Sequence, residues 1–406
     1  MTKPLDGIRI LEWAAWFAGP GTTMMLGDMG AEVVKIEQPE IGDPSRGITR
    51  LEGMHTGRSD AERAFSYTAV NRNKKCITLD VTKPQGQEII YKIIPKFDVF
   101  LQNFRQDVRD RAKLDYNTLS KYNPKLVYAN ISALGPKGPD SWRRGNDYVG
   151  QARSGFMTNF NALLGKPATM GGGIADHMTS IITLNGVLAA LLARERLGIG
   201  QEIDTSITGS MVALQHIRLT NSFFYKQELI RADRGMVINP LTNHYQCQDG
   251  KWIGFCILAA DVVWPDFCKA IGMPELEKDP KYENMRRRGE NSQELIKILD
   301  KVFATKTRDE WVKIVGKYHR IMFSPVNDGQ EVGTDPQIVE NNYVVEYEQP
   351  SLGKIKSVGC PINFHATPAG VQRPAPEFGQ HTEEVLMEFG GYSWDDIAKF
   401  KEEKII

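Results

Sequence analysis

Asp176 comes just after a run of three glycines, Gly171, Gly172 and Gly173, and directly before a long apolar stretch from His177 to Leu197. A carboxylate at such a helix start has two readings. It can be an N-cap that accepts a first-turn N–H. It can also be a nucleophile, because the positive end of the helix dipole keeps it ionised and oriented. The glycines let the backbone approach a ligand closely, and their N–H groups are candidate oxyanion donors. A second place for chemistry is the turn Gly19-Pro20-Gly21, with Glu37 as the acid of a nicotinamide site. The spacing excludes that site: proline fills the middle position, and no third glycine stands where the helix must pack. His216, His319 and His365 have no ligand spacing and are read as structural. Trp13, Trp16, Phe17 and Tyr148 are either core aromatics or walls of a ligand pocket.

The elements that position these residues follow from periodicity. An apolar run over 7–13, a helix over about 22–29 and the run Ala31–Glu37 form a strand–helix–strand unit. Strand-like runs over 76–81, 98–103 and 126–132 alternate with helical patterns near 84–95 and 115–122, which predicts a parallel α/β sheet. His177–Leu197 reads as a buried core helix ended by Gly198, Gln201–Ile207 as a strand and 208–228 as a helix. Asp249-Gly250, between His244–Cys247 and Lys251–Leu258, predicts a type I′ hairpin. Helices near 260–271, 291–304 and 307–317 complete a small α+β region. A β-rich stretch, Tyr343–Ile362, leads to a C-terminal helix with Thr382 as its N-cap.

Of the 406 residues, 41% are hydrophobic and 25% charged, which is ordinary globular composition. Fifty basic residues balance fifty acidic ones, so no global field favours nucleic acid or an anionic membrane. The N-terminus has no apolar leader, and no stretch reads as a membrane span. Five cysteines without Cys-x-x-Cys spacing suit a reducing cytoplasm and argue against a cysteine zinc site.

Taken in order, several segments resemble the family III CoA-transferases, which include formyl-CoA, carnitine and 2-hydroxyacyl transferases. They are Pro4-Leu-Asp-Gly-Ile-Arg9, Ala18-Gly-Pro20, Leu26–Glu37, Gly42-Asp43, Asn71–Asp80, Asn103-Phe-Arg105, Asn123-Pro-Lys125, Gly138-Pro139, Asp176, Gly200-Gln201 and Gly379–Leu386. The resemblance runs almost end to end. It implies a Rossmann-like large domain from 1–228 and 330–406, with a small α+β domain at 229–329 inserted, and two chains interlocked as a dimer. It implies that Asp176 attacks a donor thioester, so that CoA passes through anhydride and aspartyl-CoA intermediates to a free carboxylic acid. Coenzyme A or acyl-CoA is then a substrate, with no metal, nicotinamide or flavin. By family position, Trp16, Phe17 and Ala18 flank the reactive end. Leu79, Asp80, Thr82, Asn103, Phe104 and Arg105 line the nucleotide cleft, with Arg111 and Lys75 as basic contacts. Arg143, Arg144 and Asn146 belong to a covering loop, and Trp13, Asp147 and Tyr148 are candidates for the substrate pocket. The chain departs from the family at Gln38, where an arginine is usual.

Three alternatives bear on the function. The same fold hosts 2-methylacyl-CoA racemases, which resemble a Gly-His-Asp-x-x-Tyr pattern. Here Asn146 holds the histidine position, and an amide cannot exchange a proton at neutral pH. A subunit of a hetero-oligomer with a paralogous chain is another alternative, against which the presence of Asp176 argues. The third concerns the acyl group. Asn239–His244 replaces the four-glycine run of formyl-CoA transferases. That points to aromatic, branched or 2-hydroxy/succinate-type acids rather than formyl or oxalyl groups.

Overall fold

The computed structural model describes residues 2–47, 50–51, 54–55, 65–160, 166–228, 233–350 and 352–406. The chain divides into two units, Met1–Asn161 with Lys166–Leu229 and Val339–Ile406, and Ile230–Ile338. The expected start of the small domain at 229 lies outside the described residues.

In the first unit the strands in chain order are β1 (Arg9–Trp13), β2 (Glu32–Glu37), a two-residue pair β3 (Arg50–Leu51) and β4 (Met54–His55), β5 (Lys74–Thr78), β6 (Val99–Gln102), β7 (Val127–Ser132) and β8 (Gln201–Ser206). The helices among and after them are α1 (Ala18–Asp28), α2 (Phe65–Asn71), α3 (Pro84–Ile93), α4 (Gln106–Arg111), α5 (Tyr116–Leu119), α6 (Asp147–Arg153), α7 (Phe156–Phe160), α8 (Ile174–Leu197), α9 (Ile207–Leu214) and α10 (His216–Tyr225). Six strands form one sheet in the order β5-β2-β1-β6-β7-β8, and every pairing is parallel. The chain winds outward in one direction from β1 to β2 and β5, and in the other through β6, β7 and β8. Between β1 and β6 the order reverses, and ligands of doubly wound sheets bind at the strand ends there.

Successive strand residues face opposite sides, and both sides are buried. Ile10, Val33, Val99 and Leu101 pack with Leu184, Val187 and Leu191 of α8. Leu11, Val34, Ile77 and Phe100 pack with Ile90 of α3 and with Leu386 and Phe389 of the helix Thr382–Gly390. Each such side chain contributes about 1.5–3 kcal/mol on burial. α8 is the core helix expected over this stretch, although by length and composition alone it would also pass for a membrane-crossing helix. Half of its apolar window is buried inside this fold, because Thr179, Ser180 and Thr183 face inward with the aliphatic residues. Thr382 is not the N-cap of its helix, since His381 takes that position. The Thr382 hydroxyl instead accepts the Thr78 N–H at 3.0 Å and docks the helix on β5.

The second unit carries an antiparallel sheet of β9 (Thr242–Gln246), β10 (Trp252–Cys256) and β11 (Phe323–Val326), in the order β11-β10-β9. Helices Ala260–Ala270, Ser292–Phe303 and Arg308–Val315 pack on it around Tyr245, Phe267, Phe303 and Trp311. The predicted hairpin is present, but its turn is different. Gly250 has φ of 79° whereas Asp249 does not have positive φ, so a longer loop with a left-handed glycine replaces the type I′ turn. The unit also runs past the expected 329 to Ile338, because Glu331 pairs with Lys251 and Arg308 at 2.6 and 2.8 Å. Back in the first unit, β12 (Val344–Gln349) and β13 (Gly353–Val358) form an antiparallel pair.

Candidate active site

The segments leaving β1, β2, β6 and β7 line a cleft of 1480 Å³ at the point where the strand order reverses. It brings together Trp13, Trp16, Phe17, Ala18, Asn103, Phe104, Arg105, Arg143, Arg144, Asn146, Asp147, Tyr148 and Asp176. Trp13 packs on Phe104 with ring centroids 4.4 Å apart, while Trp16 and Tyr148 stand exposed. Gln38 also lines the cleft, and its side-chain oxygen accepts from the N–H groups of Glu40 and Ile41, closing its own loop.

Asp176 lies in the first turn of α8, but it does not cap the helix. Gly173 is the N-cap residue, with φ of 72°, and the cap acceptor comes from 29 residues earlier in the chain. Asp147 Oδ2 accepts the N–H groups of Ala175 at 2.7 Å and Asp176 at 3.1 Å. The Asp176 side chain is thus left free for the cleft. It is 9% exposed and has no hydrogen bond or ion pair at its carboxylate among the described residues. Burial, and secondarily the charge of Asp147, pushes its carboxyl up to about 7. The backbone of this turn is tied to α1. The Ser180 hydroxyl lies 3.0 Å from Asp176 O and 2.8 Å from Ala18 O, and Thr22 Oγ1 donates to Ser180 O at 3.3 Å.

Gln151, on α6, is a residue that local reading missed. It is fully buried, and its amide nitrogen donates to Asp147 Oδ1 and to Met170 O. Its oxygen accepts the Met170 N–H at 2.9 Å. One side chain therefore links the helix cap to the segment entering α8. Its i, i+4 spacing from Asp147 was the available signal.

Other expected contacts fall elsewhere. Leu79 is in the hydrophobic core, and Asp80 and Thr82 form a local turn closed by side-chain hydrogen bonds to Asp80 Oδ1. None of the three lines the cleft. Gly171, Gly172 and Gly173 do not line it either, and the helix N–H groups that follow them are occupied by Asp147. Lys75 is held by Glu32, Glu384 and Glu388 at 2.8, 2.9 and 3.3 Å. Arg111 is exposed and donates to Asp107 O. Arg109 lines the cleft in its place; its buried Nε and Nη1 make no hydrogen bond among the described residues but lie 3.7 Å from Asp110 Oδ1 and 3.6 Å from Glu202 Oε1 as loose ion pairs. Two helical positions are about 200° apart, so Arg109 shares a face with Arg105 and Arg111 does not.

Asn146 accepts the Val149 N–H at 3.3 Å and caps α6, so the position where a racemase needs histidine is a structural cap here. His177 is exposed and is not part of the cleft lining. Among the described residues, no group of three or more His, Cys, Asp or Glu side chains could hold a metal ion.

A doubly wound sheet, a long cleft at its reversal point and a desolvated carboxylate in that cleft define a ligand-binding α/β enzyme class. Comparison with known proteins makes the class specific. The profile of CoA-transferase family III matches residues 5–382. The chain is 30% identical over 409 residues to a succinyl-CoA–D-citramalate CoA-transferase of Chloroflexus aurantiacus, covering 100% of this chain and 98% of that protein. It is 32% identical over 399 residues to the Homo sapiens succinyl-CoA:glutarate CoA-transferase, covering 98% and 88%. The crystal structure of a CAIB/BAIF family protein from Brucella suis superposes with a TM-score of 0.82 at 25% identity, over 96% of this chain and 100% of that one. The chain belongs to CoA-transferase family III, whose chemistry is exchange between acyl-CoA and carboxylate.

Proposed function

We propose that this chain moves CoA from an acyl-CoA donor to a free carboxylic acid through covalent intermediates on Asp176. The observation that carries the reading is the Asp176 carboxylate, buried at the cleft and released from capping by Asp147. An Asp176 oxygen attacks the thioester carbonyl, and CoA thiolate leaves, giving a mixed anhydride. The thiolate attacks the aspartyl carbonyl and releases the donor acid, giving aspartyl-CoA. The acceptor carboxylate attacks this thioester and regenerates an anhydride and thiolate. The thiolate then attacks the acceptor's acyl carbon, and Asp176 returns to its carboxylate. Atoms and charge balance with no metal, nucleotide or net proton.

By helix geometry the N–H groups of Ala18 and Gly19, in the first turn of α1, lack intrahelical acceptors. Ala18 lines the cleft, which makes this turn a candidate to stabilise the tetrahedral oxyanion. Arg105, Arg143 and Arg144, with Arg109, are the cations offered to the phosphates or to an acyl carboxylate. For the donor we favour a short dicarboxylyl-CoA such as succinyl-CoA, supported by the two relatives named for succinyl-CoA. An interlocked homodimer is the assembly we propose, in the cytoplasm.

The test is Asp176→Asn. Exchange between acyl-CoA and free acid should fall by on the order of 10³-fold or more, with CoA affinity within about threefold. Hydroxylamine should modify Asp176, seen by mass spectrometry, when acyl-CoA is present. Retained exchange, or solvent deuterium entering C2 without an acceptor acid, would overturn the reading.

A further inference from the structure

Lys35, Asp43 and the nearby pair Asn71 and Lys74 come from three separate sequence segments, and the chemistry above uses none of them. In the fold they converge with Glu12 beneath the turn at Ala14–Ala18. Glu12 and Lys35 are direct neighbours on β1 and β2, and Glu12, Lys35, Asp43 and Lys74 are all buried. Lys35 Nζ lies 2.8 Å from Glu12 Oε1 and 2.9 Å from Asp43 Oδ2. Lys74 Nζ lies 2.8 Å from Glu12 Oε2 and donates to Asn71 Oδ1. Two carboxylates and two ammonium groups therefore balance in a buried site.

The same groups hold the turn above them. Lys35 donates to Ala14 O at 2.6 Å, and Lys74 to Pro20 O at 2.8 Å. Asp43 Oδ1 accepts the Trp16 N–H at 3.2 Å, together with the N–H and hydroxyl of Ser45. From the opposite side, Asn103 donates to Ala15 O and accepts from Ala15 N–H. Within this clamp Trp16 has φ of 68°, a left-handed conformation that costs a bulky residue about 1–2 kcal/mol. Buried ion pairs are seldom better for stability than apolar packing, so their reason lies in what they orient.

We infer that the buried quartet Glu12, Lys35, Asp43 and Lys74 is a positioning device for the transfer site, holding Trp16 left-handed and the first turn of α1 beside Asp176. The inference rests on the transfer reading above. Its consequence is coupling between Asp43 and Trp16. In Asp43→Asn the amide oxygen turns to the Lys35 ammonium, leaving the NH₂ facing the Trp16 N–H, so the acceptor is lost with little change of volume. Glycine adopts the left-handed turn unaided, so Trp16→Gly should make Asp43 dispensable for positioning.

The experiment is a double-mutant cycle over Asp43→Asn and Trp16→Gly, with kcat, KM and the CoA dissociation constant read for each protein. Asp43→Asn alone should lower kcat about tenfold or more, with KM and CoA affinity within about threefold. In the Trp16→Gly background the same change should cost less than about threefold. Equal losses in both backgrounds overturn the inference, as does a loss carried by CoA affinity alone. If circular dichroism shows Asp43→Asn unfolded, Asp43→Ser takes its place in the cycle. Failure of the transfer reading shows separately, as exchange that survives Asp176→Asn.

Discussion

At the residue scale the decisive fact is that Asp176 is desolvated beside another carboxylate. Its carboxyl is pushed up to about 7 by burial first and by Asp147 second. A nucleophilic carboxylate works ionised, so kcat/KM should rise with pH below 7 and level off above it. The same titration should show in stability. The ordinary value of 3.8 applies to the unfolded chain, so between 3.8 and about 7 the folded protein binds the extra proton. Stability therefore falls as pH rises through this window, and the cost is complete above 7. Asp176→Asn abolishes the cost: the variant should be more stable than wild type at pH 8, by on the order of a few kcal/mol, and the gain should shrink toward pH 4. Thermal melts of both proteins across this range check it. A difference that does not vary with pH would mean the carboxyl titrates normally.

At the element scale the site is a junction of three helices: α8 presents Asp176, α6 caps it through Asp147, and α1 closes against it through Ser180. Gln151 ties Asp147 on α6 to the segment entering α8, and Gln151→Leu would leave Asp147 Oδ1 and both Met170 backbone groups short of a partner. Stability should fall by about 1–3 kcal/mol. A purely structural role would end there. A positioning role predicts in addition that kcat drops about tenfold and the inflection of the kcat/KM–pH profile moves, because Asp147 is no longer held against the α8 terminus. Measuring the profile of Gln151→Leu separates the two. This junction also marks how far local reading reaches. The glycine run and apolar period made the start of α8 and the cap-or-nucleophile ambiguity of Asp176 legible. The cap on α8 was not legible, because Asp147 is distant in sequence and its direction depends on tertiary packing. Lys35 and Lys74 look like solvent-facing strand residues until Glu12 on β1, one strand from Lys35 and two from Lys74, explains their burial. The parallel sheet itself was legible because β1, β2, β6 and β7 are short, largely apolar runs buried on both faces, whereas the edge strand β8 is polar and part-exposed.

At the scale of the whole molecule, the family match covers residues 5–382, but the described surface carries a feature that one chain does not explain. Helix α10 has no buried residue, and Ile217, Phe223, Phe224 and Tyr225 on it are 78%, 73%, 78% and 60% exposed. Apolar side chains crowded on one short helix mark a protein contact rather than a solvated face. The assembly we propose, a second copy of this chain, would cover them. Light scattering of the purified protein should then give twice the mass of one chain. Phe224→Glu would place a charge inside that contact, where a carboxylate without a partner costs several kcal/mol. The variant should shift toward the monomer, with exchange activity lost in parallel and regained in part at higher protein concentration, since dimer population follows mass action. A wild-type monomer with full activity would exclude the dimer. A chain inactive alone but active with a paralogous transferase chain would assign α10 to a different partner.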